Sequence, residues 1–340
     1  MKRICFFSSD SRPLYKKDVF RVMALPSGYI VHFRYQFIHV DLDKLKLDSY
    51  INKKCMLFFS SGNNLENSIK IFNMSLREGI IEDIKKNDDT GLIHFYLKLG
   101  DYRDFVIGPN QLDKLPKNKF AAEIEGSEGE IKQWHEIVSN IKGSFRDQLM
   151  YKINFTKNNS SQEITPVFNK TESQSYYQLE DESSYALNIA FYDTSDPSEN
   201  KYQSIKIEQD GELLKINAPS IIEVGALRDN KSFNVYTNSL NSNNSFTYLD
   251  INSNNKDSIN SDDERYNVEI QIQINKNKNR SLKFAFFSIL AILSVGLDKL
   301  LTDKIDITGS FNVKLTIGLV VALFLGAFSA YKLYNLFNKK

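Results

Sequence analysis

Two charge-free apolar runs near the end of the chain most limit what it can fold into. Phe284–Leu297 has no charged residue in 14 positions and Leu315–Tyr331 none in 17. At a rise of about 1.5 Å per residue, each is short for a hydrocarbon core of about 30 Å. Lys283, Lys299, Lys314 and Lys332 stand where long side chains can snorkel, and Leu300, Leu301, Leu333, Leu336 and Phe337 prolong the apolar faces. The sequence therefore predicts a C-terminal α-helical transmembrane hairpin, 282–301 and 313–337. A buried helical hairpin is the alternative.

Basic residues give the hairpin an orientation. Lys276, Lys278, Arg280 and Lys283 precede it and Lys332, Lys339 and Lys340 follow. Lys299, Lys304 and Lys314 in the connecting loop are offset by Asp298, Asp303 and Asp306. The positive-inside rule then predicts a multi-pass protein of the inner membrane with both termini cytoplasmic and the lipid bilayer as a partner. Under that orientation, sequons such as Asn154-Phe-Thr reflect an Asn-rich composition. Gly318, Ala322, Gly326 and Ala330 recur every fourth residue. They form a stripe of small side chains that would pack on the first helix or on another subunit, predicting a homo-oligomer. The ordinary composition of membrane helices is the competing explanation.

Composition removes several function classes. The chain has 43 basic and 42 acidic residues, a formal charge of +1, and 25% charged residues. General nucleic-acid binding is not expected, because phosphate neutralisation needs clustered cations. No glycine pair has GxG spacing, and the closest pair, Gly126 and Gly129, lies in an acidic stretch, against P-loop and dinucleotide folds. Cys5 and Cys55 supply no CxxC, His32, His39, His94 and His135 no HExxH, and no serine sits in GxSxG. No metal or cofactor is implied. Ile4–Phe7 is shorter than the core of a signal peptide, about 7–15 residues.

The first 275 residues read as mainly β. Residues 1–115 form a small antiparallel barrel or sandwich, with a hairpin from Gly79–Ile84 to Leu92–Leu99 and Ile93, Phe95, Leu97 and Leu99 inside. Residues 116–150 hold a polar connector, a capping box from Ser127 to Glu130, and one amphipathic helix of about 22 residues carrying Trp134 in its apolar stripe. Residues 151–275 form a β-sandwich of short strands, with a flexible Asn- and Ser-rich excursion at 238–263 and a closing strand of alternating Val268, Ile270, Ile272 and Ile274. Residues 276–340 are a basic neck and the hairpin.

One polar constellation stands out. Val31, Phe33, Tyr35 and Phe37 alternate on one parity, then Ile38, Val40 and Leu42 on the other, so a bulge is expected near Phe37–Ile38. That bulge would put His32, Arg34, Gln36, His39 and Asp41 on one face as candidate ligand-binding residues. The plain alternative is the solvated face of a half-buried strand.

With two β-rich domains tied by a basic neck to a two-helix hairpin, the chain resembles in layout the two-helix membrane effectors of bacterial antiviral and stress-signalling systems. The resemblance carries over no functional residue. It implies a cytosolic sensor whose β-domains bind an unidentified ligand or protein partner and whose hairpin oligomerises to perturb the membrane, in bacterial defence. A membrane-tethered scaffold for a cytosolic partner is the alternative. An enzyme using His32, Arg34, His39 and Asp41 would need groups converging from further elements.

Overall fold

Most of the described residues from Lys2 to Asn275 are in strands. The computed structural model describes residues 1–65, 68–108, 119–141, 145, 148–158, 160, 162–194, 203–209, 211–219, 221–224, 227–254, 267–277, 286–289 and 328. Met1–Asn275 make one compact unit and Lys276–Lys340 another.

The first sheet is built from β1 (Lys2–Ser9), β2 (Ile30–Gln36), β3 (Val40–Asp41), β4 (Lys54–Leu65), β5 (Ser68–Asn87), β6 (Leu92–Ile107) and β7 (Ala121–Ile131), in the order β2-β6-β5-β4-β1-β7-β3. The far half of β6 also pairs with β7, closing β6-β5-β4-β1-β7 into a five-stranded barrel. Its interior is a small core of Cys5, Phe7, Met56, Phe58, Phe105, Ile107, Ala122 and Ile124, with Phe7 stacked on Phe58 at 5.0 Å. Ile4 and Phe6, and likewise Cys55, Leu57 and Phe59, point outward into the main core. These central strands are buried on both faces, so they read as unbroken apolar runs rather than alternating ones. Both cysteines are buried free thiols on opposite faces of the barrel wall. Gly126 permits the closure: a Cβ there would meet the Phe105 ring at 2.5 Å and the Val106 carbonyl at 2.6 Å.

A sandwich follows. One sheet orders β13 (Leu214–Ile216), β15 (Arg228–Thr237), β11 (Ser184–Asp193) and β8 (Leu149–Lys157). The other orders β14 (Ile221–Val224), β12 (Gln203–Gln209), β16 (Asn244–Asn254), β17 (Asn267–Asn275), β10 (Gln174–Glu180) and β9 (Val167–Asn169). Val268, Ile270, Ile272 and Ile274 are fully buried between them. Across the gap, the Tyr151 hydroxyl donates to the Ile251 carbonyl at 2.6 Å, and Phe155 meets Tyr177 at 4.8 Å.

Helix α1 (Pro13–Ala24) joins barrel and sandwich, with Phe20 edge-on to Tyr151 at 4.9 Å. Pro13 occupies the helix start, where its missing N–H is not needed, and Pro26 stops the chain from continuing. Gly28, at φ +88°, turns it into β2. The C-terminal carbonyls of α1 are taken up by three buried side chains. Arg77 donates to Val22 at 3.0 Å and Leu25 at 2.6 Å, and Trp134 Nε1 and the Tyr102 hydroxyl both reach Met23, at 3.0 and 2.8 Å.

The structure corrects the expected fold class. Among the described residues no helix is long and apolar enough to cross a membrane, which overturns the transmembrane hairpin, the two-pass membrane assignment and the multi-pass inner-membrane location. The charge-free runs of 14 and 17 residues fall short of the span of about 20 that a bilayer requires. The stretches 282–301 and 313–337 lie outside the described residues except for 286–289 and 328, and Gly318, Ala322, Gly326 and Ala330 lie wholly outside them.

Smaller differences have local causes. The barrel is mixed rather than antiparallel, because β1 runs parallel to β4. Ser127 and Glu130 belong to β7, whose polar residues face outward at the barrel seam, where Arg3 pairs with Glu128. The helix over this region is only α2 (Trp134–Asn140), opened by a capping box of Gln133 and Glu136. Ile141, Phe145 and Leu149 reach the same core from beyond it. The polar stretch 238–263 contains β16, a central strand whose Thr247, Leu249, Ile251 and Ser253 are buried while Phe246 and Tyr248 on the other parity are exposed. Its remainder from 255 lies outside the described residues.

Candidate functional site

Strand β2 alternates cleanly, with Val31, Phe33 and Tyr35 buried and His32, Arg34 and Gln36 turned outward. The parity change beyond it is a single 3-10 turn, Phe37–His39, rather than a bulge. That turn is held by the residues leading into β7: the Phe120 N–H donates to the His39 carbonyl at 2.8 Å and Lys119 Nζ to the Ile38 carbonyl at 2.6 Å. The His39 ring settles against Phe120 at 4.9 Å.

The turn and the N-terminal half of α1 enclose a cleft of about 410 Å³. Arg34, Gln36 and His39 enter it from one side and Arg12, Tyr15 and Asp18 from the other, with Phe120 in the wall. The first turn of α1 contains no acidic residue and no side chain caps it, so its partial positive charge adds to that of the two guanidinium groups. Arg12 lies 5.7 Å from the Tyr15 ring centroid. The side chains of Arg34, Gln36 and Asp18 make no hydrogen bond or ion pair with other described residues.

Asp18 is the most perturbed acid of the site. Partial burial pushes its carboxyl up to about 7, against the pull of Arg21, Arg34 and Lys17. Carboxyls shifted by burial cluster at functional sites, and Asp18 combines that shift with a place in a cleft beside an arginine its side chain does not bond. Tyr35 is raised by full burial and is satisfied instead, donating to the Phe7 carbonyl at 3.1 Å.

Of the five residues expected on one face, three meet in the cleft. His32 turns to β6, where its Nε2 lies 2.9 Å from His94 Nδ1 with the two rings nearly coplanar, and Tyr96 stacks on it at 4.8 Å. Burial, then His94, Arg21 and Arg34, lower His32 to about 4, so the pair is neutral at pH 7 and shares one hydrogen bond. Asp41 is exposed on β3 and outside the cleft lining. Arg12, Tyr15 and Asp18 escape the sequence reading because helix α1 does. Pro13 at a helix start followed by Val19, Phe20, Val22 and Met23 was the available signal.

A second, more open hollow of about 450 Å³ lies over Lys85–Asp89, His94 and Tyr96. Its lysines already have partners, Lys85 on the Lys170 carbonyl at 3.2 Å and Lys86 on Asp88 at 2.6 Å. Among the described residues no three His, Cys, Asp or Glu side chains are placed to hold a metal ion. The α1–β2 cleft thus offers cations, one carboxyl, an amide and an aromatic wall, a set suited to holding a small polar anion. No family model matches the chain, and no curated protein is found to resemble it.

Proposed function

We propose that the protein is a binding module for a small anionic ligand, held in the cleft between α1 and β2. The observation that carries this reading is the convergence of Arg12, Arg34 and His39 with an unpaired Asp18 in one hollow of about 410 Å³, within the usual range of small-molecule sites. An arginine that serves the fold alone is normally paired when a carboxyl is near, and Arg34 is not. Occupancy has a structural route onward. Tyr15 and Asp18 are on, and Arg12 directly precedes, the helix whose other end is fixed between barrel and sandwich, so an ordered N-terminal half stiffens a junction of the whole unit.

Thermal unfolding with inorganic phosphate, citrate and mononucleotides in turn tests the reading. A ligand that binds only the folded state at 100 times its dissociation constant stabilises by about 2.7 kcal/mol. At least one of these anions should raise the midpoint, and Arg34→Ala should remove the increase. The reading fails if no anion raises it, or if the variant responds as the native chain does.

A further inference from the structure

The cleft groups are complementary to more than negative charge. Asp18 and Arg34 face the same hollow, and they sense each other electrostatically without forming an ion pair. A carboxylate only accepts hydrogen bonds and a guanidinium only donates them. Side by side and unjoined, they match a ligand edge that presents two adjacent N–H donors next to a carbonyl oxygen. Guanine has that edge: N1–H and N2–H can both donate to one carboxylate, and O6 accepts from an arginine.

The rest of the lining fits the same ligand. Phe120 lies in the wall and meets an aromatic ring from either side of the cleft, Tyr15 at 6.5 Å and His39 at 4.9 Å, both tilted against it. Such a wall takes the flat face of a base. Arg12 is an exposed residue of the lining, 5.7 Å from the Tyr15 ring centroid, where it can meet a phosphate. A cleft of about 410 Å³ has the scale of a single small molecule and is too small for a strand of nucleic acid. The near-neutral charge of the chain agrees, since one phosphate needs one or two cations and a nucleic-acid backbone needs many.

We infer that the α1–β2 cleft reads the guanine edge of a mononucleotide, with Asp18 accepting N1–H and N2–H, Arg34 donating to O6, and Arg12 holding the phosphate. The inference rests on the anion-site reading above and adds base identity to it. Adenine offers a single amino group and a ring nitrogen on the corresponding edge, and leaves one carboxylate oxygen without a donor. A site built to hydrogen-bond one edge discriminates strongly against another that leaves its polar groups unpaired.

Calorimetric titration of the full chain with guanosine, adenosine and xanthosine monophosphates, and with inorganic phosphate, decides the matter. The guanine nucleotide should bind at least tenfold more tightly than the adenine nucleotide. Asp18→Asn places an amide donor where guanine also donates, so it should lower affinity for guanosine monophosphate at least tenfold and raise affinity for xanthosine monophosphate, whose O2 accepts. If the native chain binds guanine and adenine nucleotides equally, base reading is wrong while the anion site stands. If neither the nucleotides nor phosphate bind, the anion site is wrong as well. The native guanine-to-adenine ratio keeps the test independent of how well the variant folds.

Discussion

Two arginines flank helix α1 and differ in almost every physical respect. Arg77, on β5, is fully buried, and its guanidinium reaches the Val22, Leu25 and Gly100 carbonyls, the Ser27 and Tyr102 hydroxyls, and the Tyr102 ring face at 4.2 Å. Arg34, on β2, lines an open cleft, and its guanidinium donates to no described residue. Burial lowers the Arg77 pKa, with Tyr102 and Asp101 opposing it. A buried charge with its donors satisfied fixes geometry, whereas an unpaired charge beside an unpaired carboxyl keeps its bonding capacity for something that arrives. The same side chain therefore closes the helix at one end and leaves it open to chemistry at the other.

Removing Arg77 should produce the largest effect. Arg77→Ala leaves the carbonyls at the end of α1 without donors and opens a cavity, and should cost about 3–5 kcal/mol in urea unfolding. Arg77→Lys should recover little of this, because one ammonium cannot span acceptors that the planar guanidinium bridges. A loss below about 1 kcal/mol for Arg77→Ala would contradict the contrast between the two arginines. Trp134→Phe examines the same end more gently. It keeps an aromatic ring, smaller than the indole, but deletes the donor to Met23, and should cost about 1–2 kcal/mol in the same assay.

Legibility in the sequence followed where burial was one-sided. The hairpin from β5 to β6 and the alternating β17 were plain because one parity is apolar and the other polar. The barrel was harder. It closes through β7, whose acidic outward face resembles a linker, and through Gly126, whose role depends on how near Phe105 comes. Phe6-Phe-Ser-Ser and Phe58-Phe-Ser-Ser are alike in sequence, but so short a likeness does not show that the two segments lie side by side as parallel neighbours, Phe7 opposite Phe58. At the site, Arg34 and Gln36 could be grouped from the sequence because strand parity is local, whereas His32 of the same parity pairs with His94 instead. Asp18 could not be, because its meaning comes from Arg34, 16 positions away in a different element.

The open end of α1 should reveal itself through pH. The Asp18 carboxyl is raised to about 7 from about 3.9 in the unfolded chain, so the folded state holds its proton more tightly. Stability from this group is complete below about pH 4 and is lost as pH rises through about 7. The charged groups about it are Lys17 and Arg21 on α1 and Arg34 on β2, with the buried Tyr35 hydroxyl also within its field. His32 acts in the opposite direction. Its pKa is lowered to about 4, so its contribution is present above about 6.5 and is lost on acidification. Asp18→Asn should therefore remove the decline between about pH 4 and 7, a gain of about 1–2 kcal/mol at neutral pH once solvent screening is allowed for, and leave the acid limb in place. Urea midpoints across pH 4–8 measure both limbs, and a variant that keeps the neutral decline would remove Asp18 as its source.

Arg34→Ala should give the smallest change in stability and the clearest contrast with Arg77. Without a hydrogen bond or ion pair to lose, its removal should move the urea midpoint by no more than an equivalent of about 0.5 kcal/mol. Its charge nevertheless reaches three titrating groups, favouring the ionised form of Asp18 and disfavouring protonation of His32 and His94. The variant should therefore show the His32 and His94 ring protons titrating at higher pH by NMR and the Asp18 carboxyl also titrating higher, while the fold is unchanged. These shifts follow from loss of one cation near both groups, since a positive neighbour opposes a second positive charge and favours a negative one. Unmoved histidine titrations would mean that solvent screens Arg34 from the β2–β6 surface. A destabilisation of the size expected for Arg77→Ala would mean that Arg34 serves the fold, and the difference between the two ends of α1 would vanish.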